Sequence, residues 1–203
     1  VELATLPPAG MRLLQVQNPD GMFSNDFIFH VVEDADAVVA FKRRAAEFHV
    51  DVRVALSKAI SKGDIDETKR LLRDARRINE RRPREGSTPL STAAFHGNLE
   101  IAKYLLERGA KVGATNNDGN TPLHIAAFMG RAEIVQLLLE GGGSLVTENG
   151  RGETPIDVVS SPWSEQLAAS YEEILGAAGL ELDVERIKRD RVLIAKRLRA
   201  HAP

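Results

Sequence analysis

The 203-residue chain contains no cysteine. That absence removes disulfide staples, thiolate zinc sites and cysteine nucleophiles together. It leaves the compartment open, because secreted proteins also do without cysteine. No apolar run approaches the roughly 20 residues that a helical bilayer span needs, so no membrane segment is read. Excess charge of either sign is missing too. The 27 basic and 29 acidic residues give a net charge of −2, with no global attraction to nucleic acid or a membrane surface. The chain begins at Val1 rather than Met, so a signal peptide removed ahead of it is compatible with the sequence, and localisation is left open.

Signatures of chemistry are equally scarce. There is no Gly-x-Ser-x-Gly elbow to hold a serine nucleophile. Five histidines, His30, His49, His96, His124 and His201, include no two at the three- or four-residue spacing that puts metal ligands on one helix face. Gly141-Gly142-Gly143-Ser144 lacks the following Lys-Ser/Thr of a phosphate cradle and comes after an expected helix rather than before one. Asp64, Asp66 and Glu67 cluster where a helix begins, and favourable interaction with the helix dipole accounts for them. No catalytic, cofactor-binding or metal-binding residue is selected, and the chain is read as a non-enzyme without cofactor.

What is present is apolar content and a repeat. At 43% hydrophobic and 28% charged, the composition suits a chain that buries a core, and the length allows one domain plus an appendage. Gly86-Ser87-Thr88-Pro89-Leu90 recurs as Gly119-Asn120-Thr121-Pro122-Leu123 and, at the same interval again, as Gly152-Glu153-Thr154-Pro155-Ile156. In the same register Ala93-Ala94-Phe95-His96-Gly97 becomes Ala126-Ala127-Phe128-Met129-Gly130, and Leu105-Leu106 becomes Leu138-Leu139. Each recurring residue has a mechanical reason. The threonines suit helix N-caps. The prolines suit a first helical position, where a missing N–H costs nothing. The alanine pairs let short helices approach closely. Gly97 and Gly130 end a first helix, and Gly109 and Gly142 end a second. Ile101, Leu105 and Leu106, like Ile134, Leu138 and Leu139, lie on one face at helical spacing.

These residues resemble the ankyrin-repeat family, closely over about 84–148. Ser91 departs from the pattern where His124 keeps the family's histidine, and Gly143-Ser144 stands where Ala-Asp is usual. The resemblance implies a mainly α fold, an α-solenoid of about four repeats over 51–203: 51–82, 83–115, 116–148 and 149–203. Terminal repeats of a solenoid are expected to degenerate. The interval from Leu71-Leu72 to Leu105-Leu106 is longer by one than the interval from there to Leu138-Leu139, which places one extra residue near Arg81-Arg82-Pro83. At the other end, Thr154-Pro155-Ile156 starts a repeat that Pro162 interrupts. Ile194-Ala195-Lys196-Arg197-Leu198 then echoes Ile101-Ala102-Lys103-Tyr104-Leu105 too late for an uninterrupted array. An insertion over about 162–188, with a helix from Ser164 to Ala177, accounts for the delay; two plain capping helices are the alternative.

Residues 1–50 stand outside the repeat. Met11–Gln17 and Phe27–Val32 read as strands around the turn signal Asn18-Pro19-Asp20-Gly21, and 35–48 reads as a helix. A lone two-stranded hairpin is marginal in water. The segment is expected to pack on the solenoid, to pair with another copy as a homo-oligomer, or to be the tail of a larger domain.

The family resemblance implies protein–protein interaction through a concave face of hairpin tips and first-helix ends. Carried onto this sequence, the tips are Arg84, Glu85 and Ser87, then Asn117, Asp118 and Asn120, then Arg151 and Glu153. The helix ends are Phe95 and His96, then Phe128 and Met129, with Arg108 closing the rim. Phe95 and Phe128 occupy the same repeat position and are expected to stack as an exposed anchor, unless the appendage or the insertion covers them. His124 is expected to bond backbone in a neighbouring turn. Two other functions are carried: a docking or regulatory domain of an enzyme whose catalytic part lies N-terminal, and binding of an acidic partner or nucleic acid through Lys69–Arg84. That stretch sets Lys69, Arg70, Arg73, Arg76, Arg77, Arg81, Arg82 and Arg84 against Asp74 and Glu80, without the aromatics that a single-strand binder uses. A partner protein is expected, unidentified, with no membrane, and nucleic acid is the less favoured ligand.

Overall fold

A computed structural model of the chain describes residues 3–4, 12–14, 30–31, 52–73, 75–181 and 183–201. It divides into two compact units, Val1–Val52 and Arg53–Pro203. In the first, β1 (Leu3–Ala4), β2 (Arg12–Leu14) and β3 (His30–Val31) form an antiparallel sheet with β2 in the middle. Leu3 faces Leu14, and Arg12 faces Val31. The residue pattern points to two strands and not to three. β1 takes the second edge of β2, giving it the backbone partners that a bare hairpin leaves missing. The helix expected over 35–48 lies outside the described residues.

The second unit is helical. Its elements are α1 (Val52–Lys62), α2 (Ile65–Leu71), a 3-10 turn (Ala75–Asn79), α3 (Pro89–His96), α4 (Leu99–Glu107), α5 (Pro122–Phe128), α6 (Ala132–Glu140), α7 (Pro155–Ser160), α8 (Glu165–Ala177) and α9 (Val184–His201). The threonines start the first helices for the expected reason. Thr88, Thr121 and Thr154 accept hydrogen bonds from the backbone N–H of Ser91 (3.2 Å), His124 (3.4 Å) and Asp157 (3.4 Å), with a proline in the first turn each time. An N-cap of this kind is worth about 1 kcal/mol.

Helices α3, α5 and α7 lie side by side, α4 and α6 back them, and α9 backs α7. One core runs through the stack: Leu72, Leu90, Ala94, Ile101, Leu105, Leu123, Ala127, Ile134, Leu138, Ile194 and Leu198 are buried in it. Alanine faces allow the close approach, and the leucines and isoleucines of the backing helices supply the volume. Neighbouring units are also tied by polar bonds. The Asn98 side-chain amide donates to the Ile60 carbonyl. Asn79 bridges to the next turn, accepting from Lys111 N–H at 2.7 Å and donating to the Gly109 carbonyl at 3.3 Å.

The last unit departs from the pattern. Ser164 caps α8 by accepting from Leu167 N–H at 3.1 Å. Helix α9 then runs unbroken from Val184 to His201. A boundary at 188 therefore falls inside a helix: its C-terminal half packs in the solenoid core through Ile194 and Leu198, and its N-terminal half packs with α8 through Ile187.

Candidate partner-binding surface

Two of the three hairpin tips are built by the same local device. Asn116 Oδ1 accepts from Asp118 N–H (3.0 Å) and Asn120 N–H (2.9 Å). One repeat on, Asn149 Oδ1 accepts from Arg151 N–H (2.9 Å) and Glu153 N–H (3.1 Å). Such side-chain turns fix a tip without help from the core. The first tip has Pro83 at the equivalent position and closes differently. Arg82 N–H bonds the Ser87 carbonyl, whereas Asn116 N–H bonds Asn120 and Asn149 N–H bonds Glu153, each a shorter span by one. The extra residue of the first repeat interval therefore sits in this turn. Arg81 replaces the asparagine clamp, donating Nε to the Gly86 carbonyl at 3.0 Å and Nη2 to Asn117 Oδ1 at 3.1 Å.

The tips are then joined into a row. Asn117 donates its side-chain amide to the Arg84 carbonyl (2.7 Å) and its backbone N–H to the Glu85 carbonyl (3.0 Å). Gly150 N–H donates to the Asp118 carbonyl at 2.8 Å, and Asn149 Nδ2 donates to Asn120 Oδ1 at 3.0 Å. His124 spans the same step. Its Nδ1 accepts from Thr121 N–H at 3.2 Å, and its Nε2 lies 3.0 Å from the Glu153 carbonyl and so carries the proton. Burial holds this imidazole below its ordinary pKa, opposed by the Glu153 carbonyl, which keeps the neutral tautomer that the two bonds require. Asn117, Asn120 and Glu153 thus spend polar groups inside the row. Arg84, Glu85, Asp118 and Arg151 are exposed along it and Ser87 is half-buried. Glu85 leans on Arg82 at 3.5 Å.

The helix ends are not the open anchor that the repeat register suggests. Met129 is 1% exposed. Phe128 stacks on Tyr171 of α8 with ring centroids 4.4 Å apart, and Trp163 also stacks on Tyr171, at 5.6 Å. The Tyr171 hydroxyl donates to the Phe128 carbonyl and accepts from Arg191 Nη1. Phe95 packs against the same cluster of Met129, Tyr171, Leu175 and Ile187. Phe128 is therefore partly covered from within the chain, by Tyr171 of α8. Phe95 and Phe128 do share a repeat position, but α8 brings apolar surface of its own against them and leaves both half-buried. His96 rests edge-on against Phe95 at 5.0 Å, with its Nδ1 buried and unbonded. Burial, then the nearby Arg131 charge, lowers its pKa.

Arg108 is exposed beside Tyr104, its guanidinium 6.0 Å from that ring, with Lys69 Nζ 5.7 Å from the same ring. It does not join the tip row. The basic stretch is similarly dispersed: Arg70 pairs with Glu67 at 2.6 Å, Arg77 with Glu80 at 3.8 Å and Arg82 with Glu85 at 3.5 Å. Among the described residues no group of three or more His, Asp or Glu is arranged to hold a metal ion, and no helix is long and apolar enough to cross a membrane.

Comparison with known proteins agrees with the architecture. Residues 56–149 match the family model described as ankyrin repeats (3 copies). A human protein, protein phosphatase 1 regulatory subunit 27, is 31% identical over 122 residues, covering 57% of this chain and 79% of the relative. The chain belongs to the ankyrin-repeat family. An ankyrin repeat protein of fowlpox virus (strain NVSL) is 32% identical over 68 residues, 34% of this chain and 17% of that much longer relative.

Within this ankyrin-repeat chain, the sequence did carry a signal for one missed feature. Asn116 and Asn149 stand one repeat interval apart, in register, and both clamp tips. Tyr171 and Arg191 carry no repeat signal, because neither belongs to the repeat; Tyr171 is marked only by its helical spacing with Leu167 and Leu175.

Proposed function

We propose that the chain is a non-catalytic interaction module that holds a partner protein along its row of hairpin tips. One observation carries the reading: Arg84, Glu85, Asp118 and Arg151 are exposed on tips locked to one another by backbone and asparagine bonds. A surface ordered before binding loses little entropy when a partner docks, and charges in fixed register select among partners. Phe95 and Phe128 do not serve as the central anchor in this reading, because α8 already covers that end of the face. The name of the human relative makes protein phosphatase 1 the first partner to test, with the chain acting as a regulatory part beside an enzyme.

The test is affinity capture with the parent and with a fourfold charge reversal, Arg84→Glu, Glu85→Arg, Asp118→Arg and Arg151→Glu, probing the captured set for protein phosphatase 1. The reversal is expected to weaken retention of the bound partner by about tenfold or more, since each loss of about 1.4 kcal/mol is a factor of ten, with an unchanged melting temperature. Equal retention by both forms sinks the tip row as the binding surface.

A further inference from the structure

A cleft of about 320 Å³ opens at the C-terminal end of the helical unit, between the end of α7 and one face of α9. We propose that it is a second docking site, for an acidic segment of a partner protein that inserts one apolar side chain and sets carboxylates against Arg199 and Lys188.

Three observations carry this. The first is the lining. Lys188, Arg191 and Arg199 line the cleft together with Val159, Trp163 and Val192, and no Asp or Glu lines it. A cationic rim around an apolar floor fits an anionic ligand with an apolar body. The second is Arg191. It is only 4% exposed, yet its guanidinium bonds two neutral oxygens, the Tyr171 hydroxyl at 3.1 Å and the Ser161 carbonyl at 2.9 Å. Among the described residues no carboxylate pairs with it. A buried cation without a counter-ion is costly, and its field is available to an anion entering the cleft. The third is unpartnered apolar surface: Val192 is 72% exposed on the same face of α9. Lys188 Nζ sits 5.3 Å from the Trp163 ring while paired with the exposed Glu185 at 3.0 Å, a surface pair that an incoming carboxylate exchanges at little cost, and Arg199 Nη2 lies 3.2 Å from Ser160 Oγ.

The spacing adds a constraint. Lys188 and Arg199 are three turns apart on one helix, about 16 Å at the usual helical rise of about 1.5 Å per residue. A complementary segment carries acidic groups on both sides of its apolar side chain. This site is separate from the tip row and does not depend on it.

Trp163 is the only tryptophan of the chain and lies in the cleft, so its emission reports occupancy directly. A random peptide library displayed on phage is panned against the full chain, and enriched peptides are titrated by Trp163 fluorescence. The expected result is enrichment of peptides with Asp or Glu flanking an apolar residue, which shift Trp163 emission. They bind a Lys188→Gln/Arg199→Gln variant about tenfold more weakly and the tip-reversal variant unchanged. Retained helical circular dichroism of the Gln variant separates lost binding from lost folding. Failure to enrich acidic peptides overturns the proposal. So does undiminished binding to the Gln variant, or binding that leaves Trp163 unmoved and disappears with the tip reversal.

Discussion

Two residues show how the stack limits substitution. Gly119 has φ +76°, and a Cβ built there would lie 2.7 Å from the backbone nitrogen of Gly150 in the next tip. Gly142 has φ +84° but nothing within 4 Å. Alanine at Gly142 therefore meets only the left-handed backbone penalty, about 1–2 kcal/mol. Alanine at Gly119 meets that and an overlap with backbone, which adds about 1–3 kcal/mol. Urea titration is expected to rank Gly119→Ala clearly below Gly142→Ala; equal losses would mean that the tips are not in contact. His124 gives a pH dependence. Its folded pKa is depressed by burial, so as pH falls the unfolded chain takes up the proton first. Its contribution is complete above about pH 6.5 and is lost as pH drops through the folded value. His96, also depressed, acts in the same direction. Urea midpoints at pH 7.5 and 5 are expected to fall with acid, and His124→Ser, which copies Ser91 of the preceding repeat, is expected to flatten that fall.

Among the elements, α8 decides which surface is left for a partner. It presents Tyr171 and Leu175 inward and exposes most of its other side chains, so its attachment is concentrated in one aromatic stack. Removing the Phe128 ring takes away a stacked pair worth about 0.5–1.5 kcal/mol beyond its area. Phe128→Ala is expected to lower stability by roughly 2–3 kcal/mol, at or below the bottom of the Phe→Ala range of about 3–5 kcal/mol, because the ring is only partly buried. It is also expected to move Trp163 emission through loosening of the stack. A Phe128→Ala variant that melts like the parent would return this residue to the open face. The sequence disclosed the repeats and hid this cover for the same physical reason. Thr88, Pro89 and Gly97 meet backbone requirements that recur in every repeat, so the same residue types return at a fixed interval. Phe128 meets Tyr171, which stands far along the chain in a helix that has no counterpart in the other repeats, and periodicity cannot point to it. Arg191 also lies outside the repeat; that it turns inward depends on α8 being where it is.

At the scale of the helical unit, stability is a sum of repeat terms and nearest-neighbour interfaces. Helices α3 to α6 have stacked partners on both sides, since α1 and α2 precede them and α7 and α9 follow. The short α7, Pro155–Ser160, has α5 on one flank and the open cleft beside its end. A gradient of protection follows, rather than a single level. Amides of α4 and α6, whose Ile101, Leu105, Ile134 and Leu138 are buried in the shared core, are expected to exchange hydrogen slowest. Those of α8 are expected to exchange fastest among the helices that follow α3, because local opening there breaks one cluster and leaves the stack intact. In Phe128→Ala the α8 rates should rise further while those of α4 stay unchanged. Uniform protection across α3 to α9, or equal acceleration everywhere in the variant, would mean that α8 opens only with the whole unit, and its cover over Phe128 would then be as permanent as the core itself.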